Sequence, residues 1–187
     1  KYGSDVFRMY LMFMGPFTLG GDWNDKGITG ISRFVERIWN LLTAPHAEKD
    51  NDELLRALHA TIKKVTQDIE IFHFNTAISA MMEFVNLAYK TGISLKSKKL
   101  FAQIISPLAP HLAEEIWGRL GGEDLPDRQA DSIFNTDWPK FDEKYLKLAE
   151  FELVIQINGK VRAKVPAKIG ISKESAIEFA LSLSNIQ

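Results

Sequence analysis

The sequence predicts a mainly α-helical fold, in which an antiparallel helical bundle is followed by a small, truncated α+β unit with a β-hairpin. Two observations predict it. Apolar residues recur every three or four positions over most of the chain, and short loops separate these amphipathic runs, as between antiparallel helices. Later in the chain, the stretch VIQINGKVRAKV places Asn-Gly between two β-prone runs, which is the strongest short-range signal for a hairpin.

Cap residues and glycines mark the first two helices. Ser4 is a candidate N-cap for the first, which is apolar on nearly all sides and is therefore expected to be buried. The second helix is predicted to start near Asn24 or Asp25, and Gly27 and Gly30 allow another helix to approach it closely. Its inner face is predicted to contain Ile28, Ile31, Phe34, Val35, Ile38, Trp39 and Leu42.

Four further helices complete the predicted bundle. Asp50 and Glu53 fit a capping box for the third. The others are predicted to start between Phe72 and Asn75, to run from Lys96 to Ser106, and to run from Pro110 to Gly121-Gly122.

The C-terminal part of the sequence has a different pattern. A polar connection around Trp138-Pro139 is expected to be extended, two strands follow from about Phe151 to Val165, and Ser172 then caps an amphipathic helix. A hairpin and one helix form a marginal unit, so this domain is expected to be truncated. The predicted divisions are a helical bundle at 1–122, a connecting segment at 123–148 and a partial α+β domain at 149–187.

The predicted hairpin carries a row of basic residues. A two-residue loop would pair Gln156 with Val161, Ile155 with Arg162 and Val154 with Ala163. Alternation along the strand would then place Lys160, Arg162 and Lys164 on one face. Such a row is typical of an edge strand protected against aggregation, and equally of a surface that contacts nucleic-acid phosphates. The residues alone leave both interpretations open.

Arg33 and Arg37 form a second basic group, because residues one helical turn apart share a face. They could pair with Glu36 or other surface carboxylates, which would contribute about 0.5 kcal/mol. Alternatively, they could hold an RNA backbone along the bundle. Trp39 and Trp117 lie at helical spacing and are interpreted as core anchors rather than base-stacking platforms.

The composition limits the possible functions. The 187 residues are 45% hydrophobic and 25% charged, as in an ordinary soluble globular protein. A net charge of −1 excludes a globally basic nucleic-acid coat, so any RNA contact must come from local patches. The chain has no cysteine, which excludes disulfides and thiolate metal sites and fits a reducing cytoplasm. With no signal-peptide pattern and no run of about 18 apolar residues, no membrane contact is expected.

No catalytic or metal-binding motif is found. The segment from Leu95 to Leu100 contains Lys-Ser-Lys but is expected to form the solvated start of a helix. His111, on the first turn of a helix, is interpreted as a structural or capping residue. The four histidines show no ligand spacing, and there is no glycine-rich phosphate loop. We therefore predict no catalytic residue, no metal and no cofactor in this chain.

Several stretches together resemble bacterial-type leucyl-tRNA synthetases, which are class I aminoacyl-tRNA synthetases. They are YGSDVFRMYLMFMGPF, the pattern W-x-x-x-G-x-x-G-x-x-R-F-V-x-R-I-W from Trp23 to Trp39, FHFNTAISAMMEFVN, SPLAPHLAEEIWGRLGG and INGKVRAKV. The resemblance runs along essentially the whole chain. It implies that the bundle is the anticodon-binding domain shared by the leucine, isoleucine, valine and methionine enzymes. The Met-Phe-Met-Gly-Pro and Asn-Gly-Lys-Val-Arg segments resemble the leucine enzyme most.

The resemblance implies a role in which this chain positions tRNA(Leu) for ATP-dependent leucylation by the catalytic domain of the same parent chain. ATP and Mg would serve the parent enzyme, whereas this chain lacks the HIGH-type and KMSKS-type motifs and is predicted to be inactive alone. We expect a cytoplasmic location and no DNA partner. The candidate tRNA contacts are Arg33, Arg37, Lys160, Arg162 and Lys164, and the candidate residues for docking the catalytic domain are Val6, Phe7, Met9, Tyr10 and Phe13.

Two alternatives remain open from the sequence. The chain could be the corresponding region of an isoleucyl-, valyl- or methionyl-tRNA synthetase. It could also be a helical protein-interaction module whose hairpin docks a partner strand.

Overall fold

The computed structural model describes residues 2–16, 18–121, 132–146, 150–157 and 160–168, together with Ile177. These residues form helices and a two-stranded antiparallel sheet, which confirms the predicted fold class. The elements are α1 (Ser4–Phe13), α2 (Asp25–Thr43), α3 (Asp52–Glu70), α4 (Phe74–Thr91), α5 (Leu95–Ile105), α6 (Pro110–Gly121), a 3-10 helix (Ile133–Asn135), α7 (Glu143–Leu146), β1 (Glu150–Ile157) and β2 (Lys160–Lys168).

Contacts within the chain divide it into two units, Lys1–Tyr145 and Leu146–Gln187. The first unit contains the helical bundle and the second contains the sheet. The domain boundaries expected from the sequence, at 122 and 148, stay a prediction.

Apolar faces of α1 to α6 form one hydrophobic core in the first unit. Within it, the buried rings of Phe84 in α4 and Phe101 in α5 lie 4.6 Å apart. Full burial of an aliphatic or aromatic side chain of this size contributes about 1.5–3 kcal/mol, so the core dominates the stability of the bundle. On α2 the buried residues are Ile28, Ile31, Phe34, Ile38, Leu41 and Leu42, while Val35 and Trp39 are partly buried against the core.

The helix caps differ in two places from those expected. Gly3, with φ 78°, is the N-cap of α1, and Ser4 is the first helical residue rather than the cap. Glycine tolerates this backbone conformation without a Cβ clash, which explains the change. The N-cap of α3 is Asn51, whose side-chain oxygen accepts a hydrogen bond from the backbone N–H of Leu54 at 2.7 Å. The expected capping box of Asp50 and Glu53 is therefore wrong.

Asp50 is engaged elsewhere, which explains that difference. Its carboxylate accepts hydrogen bonds from the backbone N–H and the hydroxyl of Ser94 at 2.7 and 2.6 Å, and from the Ser97 hydroxyl at 2.6 Å. Ser94 in turn is the N-cap of α5. Asp50 thus fastens the loop before α3 to the first turn of α5, a long-range role that a local capping pattern does not show.

Lys98 corrects the expectation that α5 begins with a solvated Lys-Ser-Lys segment. Ser97 and Lys98 are each only 1% exposed. The Lys98 ammonium donates hydrogen bonds to the carbonyl oxygens of Leu42, at 3.2 Å, and Ala44. The carbonyls at a helix C-terminus lack intrahelical donors and carry partial negative charge, so the buried ammonium closes the end of α2.

The two glycines of α2 have different surroundings. A Cβ at Gly27 would lie 2.8 Å from a ring carbon of Tyr10, so α1 and α2 approach closely only because this position has no side chain. The Tyr10 hydroxyl also accepts a hydrogen bond from the Asn24 backbone N–H at 2.7 Å. At Gly30 no atom of the described residues lies within 4 Å of such a Cβ, so none of them makes the close approach expected there.

The connecting segment at residues 132–145 lies along the bundle. It contacts α6 where Glu114 accepts hydrogen bonds from the backbone N–H of Ile133 and the Ser132 hydroxyl, both at 3.0 Å. Farther along, the Trp138 indole N–H donates to the Thr66 hydroxyl of α3 at 2.8 Å. This segment was expected to be a polar connection with an extended part, but Ile133 is in fact 2% exposed and belongs to the core.

His59 of α3 holds the far end of the connecting segment. Its ring stacks on Tyr145 with centroids 4.6 Å apart, and its Nδ1 accepts a hydrogen bond from the Asp142 backbone N–H at 3.1 Å. Burial lowers the pKa of His59 below its usual value, more than the nearby Asp142 carboxylate raises it. The neutral ring is the form that accepts this hydrogen bond.

The sheet has a β-bulge that changes the expected register. Gln156 is opposite Val161 as predicted, but Ile155 is opposite Ala163 and Val154 is opposite Lys164. Arg162 is the extra residue on β2, because one residue on a bulged strand has no direct partner. The pairings expected from uninterrupted alternation, Ile155 with Arg162 and Val154 with Ala163, are therefore wrong. The turn predicted at Asn158-Gly159 and nearly all of the predicted C-terminal helix lie outside the described residues; Ile177 is helical.

Candidate nucleic-acid interface

Arg33 and Arg37 lie one turn apart on the outer side of α2. The adjacent residues Phe34 and Ile38 are buried in the core, and the arginines lie about 100° around the helix from them. Arg33 is exposed and Arg37 is half-buried. Both positions follow from the amphipathic pattern of the sequence, as expected.

Arg37 is held in place by two residues of α4. Its Nη2 donates a hydrogen bond to Oδ1 of Asn86 at 2.8 Å, and its guanidinium carbon lies 5.1 Å from the ring centre of Tyr89. The Tyr89 hydroxyl donates a hydrogen bond to the Arg37 carbonyl oxygen at 2.8 Å. These contacts fix the guanidinium at the junction of α2 and α4.

None of these partners neutralises the charge of Arg37. An amide oxygen and an aromatic ring are uncharged, and within the described parts of the chain neither Arg33 nor Arg37 pairs with a carboxylate. The expected alternative, an ion pair with Glu36, is therefore not formed among these residues. Two neighbouring cations that form no ion pair with a carboxylate of the described residues are a suitable site for an anion.

Arg119 of α6 shows the contrasting arrangement. Its guanidinium lies 4.5 Å from the ring centre of Trp39, which resembles the stacking of Arg37 on Tyr89. Its Nε, however, also donates to the Glu115 carboxylate at 2.9 Å. The charge of Arg119 is thus compensated within its own helix, whereas that of Arg37 is not. Trp39 is partly buried against the core, as an anchor should be.

Asn86 and Tyr89 were not among the residues expected from the sequence. They lie three positions apart on α4, so they share a face, and Tyr89 is 46% exposed. A polar residue and an exposed tyrosine at this spacing are common on helix surfaces. Only the crossing of α2 over α4 shows that both meet Arg37.

The register of the strands departs from the uninterrupted alternation on which the expected single row of basic residues was based. Cross-strand partners share a face, so position 160 lies with Ile157 and position 164 lies with Val154, on opposite faces of the sheet. The bulge at Arg162 causes this change, because one extra residue reverses the alternation beyond it. Lys164, Val154 and Val161 are exposed. An RNA contact by Lys160, Arg162 and Lys164 stays a prediction.

The apolar residues of α1 are divided between the core and the surface. Val6, Met9 and Tyr10 are buried in the bundle, which corrects the expectation that they form part of a docking surface. Their face points toward α2, α4 and α6 rather than outward. Phe7 and Leu11 are about half exposed, and the ring of Phe7 lies 6.0 Å from that of exposed Trp23. Docking by Phe7 and by partly buried Phe13 stays a prediction.

The described residues contain no group of three or more His, Asp or Glu side chains placed to hold a metal ion. His111, at the start of α6, lies beside Asp5 with Nδ1 and Oδ1 2.8 Å apart, a structural contact like the one expected. Among the helices that the structure describes, none is long and apolar enough to cross a membrane.

Comparison with known proteins identifies the family. Residues 51–179 match the family model described as the anticodon-binding domain of tRNA ligase. The chain belongs to this family. The match includes α3 to α6 and extends over most of the second unit, and it begins after α1 and α2. The anticodon-binding fold expected from the sequence is confirmed.

Leucine–tRNA ligases are similar to this anticodon-binding chain over its whole length. That of Dehalococcoides mccartyi strain 195 is 42% identical over 201 aligned positions, which cover 100% of this chain and 24% of that ligase. The enzyme of strain BAV1 is 41% identical with the same coverage. The chain therefore spans about a quarter of the length of these relatives.

A solved structure has the same fold. It is the crystal structure of the ternary complex of Agrobacterium radiobacter K84 agnB2 LeuRS with tRNA and LeuAMS. The TM-score is 0.75 at 28% sequence identity, with 99% of this chain and 26% of that chain covered. Similarity of both sequence and structure thus connects this chain to leucine–tRNA ligases.

Proposed function

We propose that the chain is the tRNA-binding part of a leucine–tRNA ligase and positions tRNA(Leu) for leucylation by the catalytic domain of the same parent chain. The observation that carries this proposal is the similarity to leucine–tRNA ligases over the entire chain. The pair Arg33 and Arg37 forms no ion pair with a carboxylate of the described residues, and it supports the proposal because such cations supply the sequence-independent part of RNA affinity. Lys160, Arg162 and Lys164 are further candidate contacts.

The proposal separates binding from chemistry. ATP and Mg would be used by the catalytic domain of the parent enzyme, in the cytoplasm, and this chain would contribute only the placement of the tRNA. The isolated chain should therefore show no leucine-dependent exchange between ATP and pyrophosphate. Exchange above a no-protein control that follows the chain through purification would contradict this division.

Filter-binding titrations with a tRNA(Leu) transcript test the binding role. The affinity should fall steeply as salt rises, because phosphate contacts release counterions from the RNA. Competition with tRNAs for isoleucine, valine and methionine tests the leucine assignment, and the leucine transcript should compete best. Equal competition by another of these tRNAs would favour the corresponding ligase, and salt-independent binding would favour a protein-interaction module.

The exposed apolar residues around α1 support a second contact, with the catalytic domain of the parent chain. Phe7, Leu11 and Trp23 remain exposed, and a cluster of exposed apolar side chains is typical of an interaction surface. Replacing Phe7 and Trp23 by serine in the parent ligase should weaken leucylation more than it weakens tRNA binding. Leu19→Ser, at an exposed position of the loop between α1 and α2, tests whether the effect is confined to this pair.

A further inference from the structure

We propose that Asn86 and Tyr89 are positioning residues that hold Arg37 as a preorganised contact for a phosphate of the tRNA backbone. This inference rests on the proposed function and adds the residues that prepare the site. It follows from the neutral charge of the partners of Arg37, from the guanidinium N–H donors that remain available, and from the residues around Arg37.

The first argument concerns charge. A surface arginine whose role is only to join two helices is commonly paired with a carboxylate, as Arg119 is with Glu115 at 2.9 Å. Arg37 instead contacts an amide oxygen at 2.8 Å and a ring centre at 5.1 Å. Both partners fix the guanidinium while leaving its full positive charge available to an anion.

The second argument concerns hydrogen-bond donors. A guanidinium has five N–H donors in a planar fork, and the contact with Asn86 uses one of them. The remaining donors can form the two parallel hydrogen bonds that arginine makes with phosphate. Because Arg37 is already held, less side-chain freedom is lost when RNA binds, which favours a tighter complex.

The third argument concerns the surroundings. Arg33 lies one turn earlier on the same helix face and is exposed, so a second cation is available to an adjacent phosphate. Gly30, three residues before Arg33, is exposed, and no atom of the described residues lies within 4 Å of its Cβ position. The helix surface beside Arg33 is therefore uncovered at this position.

The decisive variant is Asn86→Asp. It keeps an oxygen acceptor beside Arg37 Nη2 and so preserves or strengthens the contact, but it replaces a neutral partner by a negatively charged one. We expect the affinity of the 187-residue chain for a tRNA(Leu) transcript to fall about tenfold, as for Arg37→Gln, and the salt slope to fall by about one. The melting temperature should stay unchanged or rise. If the contact between Asn86 and Arg37 were purely structural, Asn86→Asp would leave the melting temperature unchanged and would cause no loss of RNA affinity. That result would overturn the proposal.

A double-mutant comparison separates positioning from general repulsion of RNA. In the Arg37→Gln background, Asn86→Asp should change the affinity by less than twofold, because its effect acts through Arg37. An equal loss in both backgrounds, or no loss in the native background, would overturn the proposal. Tyr89→Ala should weaken tRNA binding. Tyr89→Phe keeps the ring beside the guanidinium and should bind tRNA as tightly as the native chain.

Arg119→Gln is the matched control, because it removes a stacked arginine whose charge is already compensated. It should change the tRNA affinity by less than twofold, and a loss as large as that of Arg37→Gln would overturn the argument from charge. If the native chain binds no tRNA, the proposed function fails, and this inference fails with it. Normal binding that is insensitive to Asn86→Asp would overturn only the inference.

Discussion

Asp5 of α1 caps α6 across the bundle: its Oδ2 accepts a hydrogen bond from the backbone N–H of Leu112 at 2.7 Å. Its Oδ1 also lies 2.8 Å from Nδ1 of His111. The N-terminal N–H groups of a helix have no intrahelical partner and carry partial positive charge, so a carboxylate is well suited to this position. A residue at the start of the chain thus completes its sixth helix.

Asp5→Ala should lower the free energy of unfolding by about 1–2 kcal/mol, since it removes a cap that is nearly buried. His111→Ala should cost less, because the His111 side chain is 76% exposed. Urea denaturation of both variants measures the difference. An Asp5→Ala variant as stable as the native chain would show that water can replace the carboxylate.

Gly27 and Gly30 should respond oppositely to alanine. Gly27→Ala places a methyl group against the Tyr10 ring and should destabilise the bundle in spite of the better helix propensity of alanine. Gly30→Ala meets no neighbour and should stabilise it by up to about 1 kcal/mol. Thermal melts of the two single variants are a matched comparison. The same sign of change in both would contradict the described contact between α1 and α2.

Lys98→Met should destabilise the chain by about 1–3 kcal/mol, because it leaves the carbonyls of Leu42, which is buried, and Ala44 without this donor. Lys96→Met, at an exposed position on the same helix, should change stability by less than about 0.5 kcal/mol. Chemical denaturation distinguishes them. Equal, small effects would mean that the Lys98 ammonium lies in solvent.

His59 should make the stability of the first unit dependent on pH. Its pKa is lowered in the folded state by burial, so below about pH 6.5 the unfolded chain binds a proton first and the free energy of unfolding falls. The loss continues until the pH is below the folded-state pKa, and one proton limits its slope to about 1.4 kcal/mol per pH unit. In His59→Gln this dependence should be absent. His73→Gln, at an exposed position, should keep it.

The basic residues of β2 should contribute unequally to RNA binding. The register places Lys160 and Lys164 on opposite faces, so a single RNA surface should engage one of them more than the other. Of the variants Lys160→Gln and Lys164→Gln, one should lower the salt slope by about one and the other should leave it nearly unchanged. Equal effects would favour a backbone wrapped around both faces. No effect in either variant would favour a strand protected only against aggregation.

Local periodicity was sufficient to predict α1 to α6, the inner face of α2 and the pairing of two strands, but not the short helices of the connecting segment. The seven residues predicted for the inner face of α2 are buried or partly buried, because a helix with period 3.6 shows its buried side directly in the sequence. The position of Arg33 and Arg37 on the outer side follows from the same pattern.

Partners that are distant in sequence could not be predicted in this way. In the sequence, Lys98 resembles any solvated lysine, because its hydrogen bond to the end of α2 is a long-range contact. Asp50 likewise resembles a helix cap, because its hydrogen bonds from Ser94 and Ser97 join residues more than 40 positions apart. The bulge at Arg162 was missed because simple alternation assumes that each residue of one strand is opposite a single residue of the other strand. For Arg37, the sequence indicates the charge, while its neutral partners on α4 depend on how two helices cross.

The position of α1 and α2 in the core has a consequence for how the bundle unfolds. The family match begins at residue 51, yet Met9 and Ile38 are completely buried among helices inside that match. Removing the first two helices would expose the inner faces of the others to water. We therefore expect the bundle to unfold as a single cooperative unit that is larger than its region of family similarity, with its core amides exchanging with solvent together, through global unfolding.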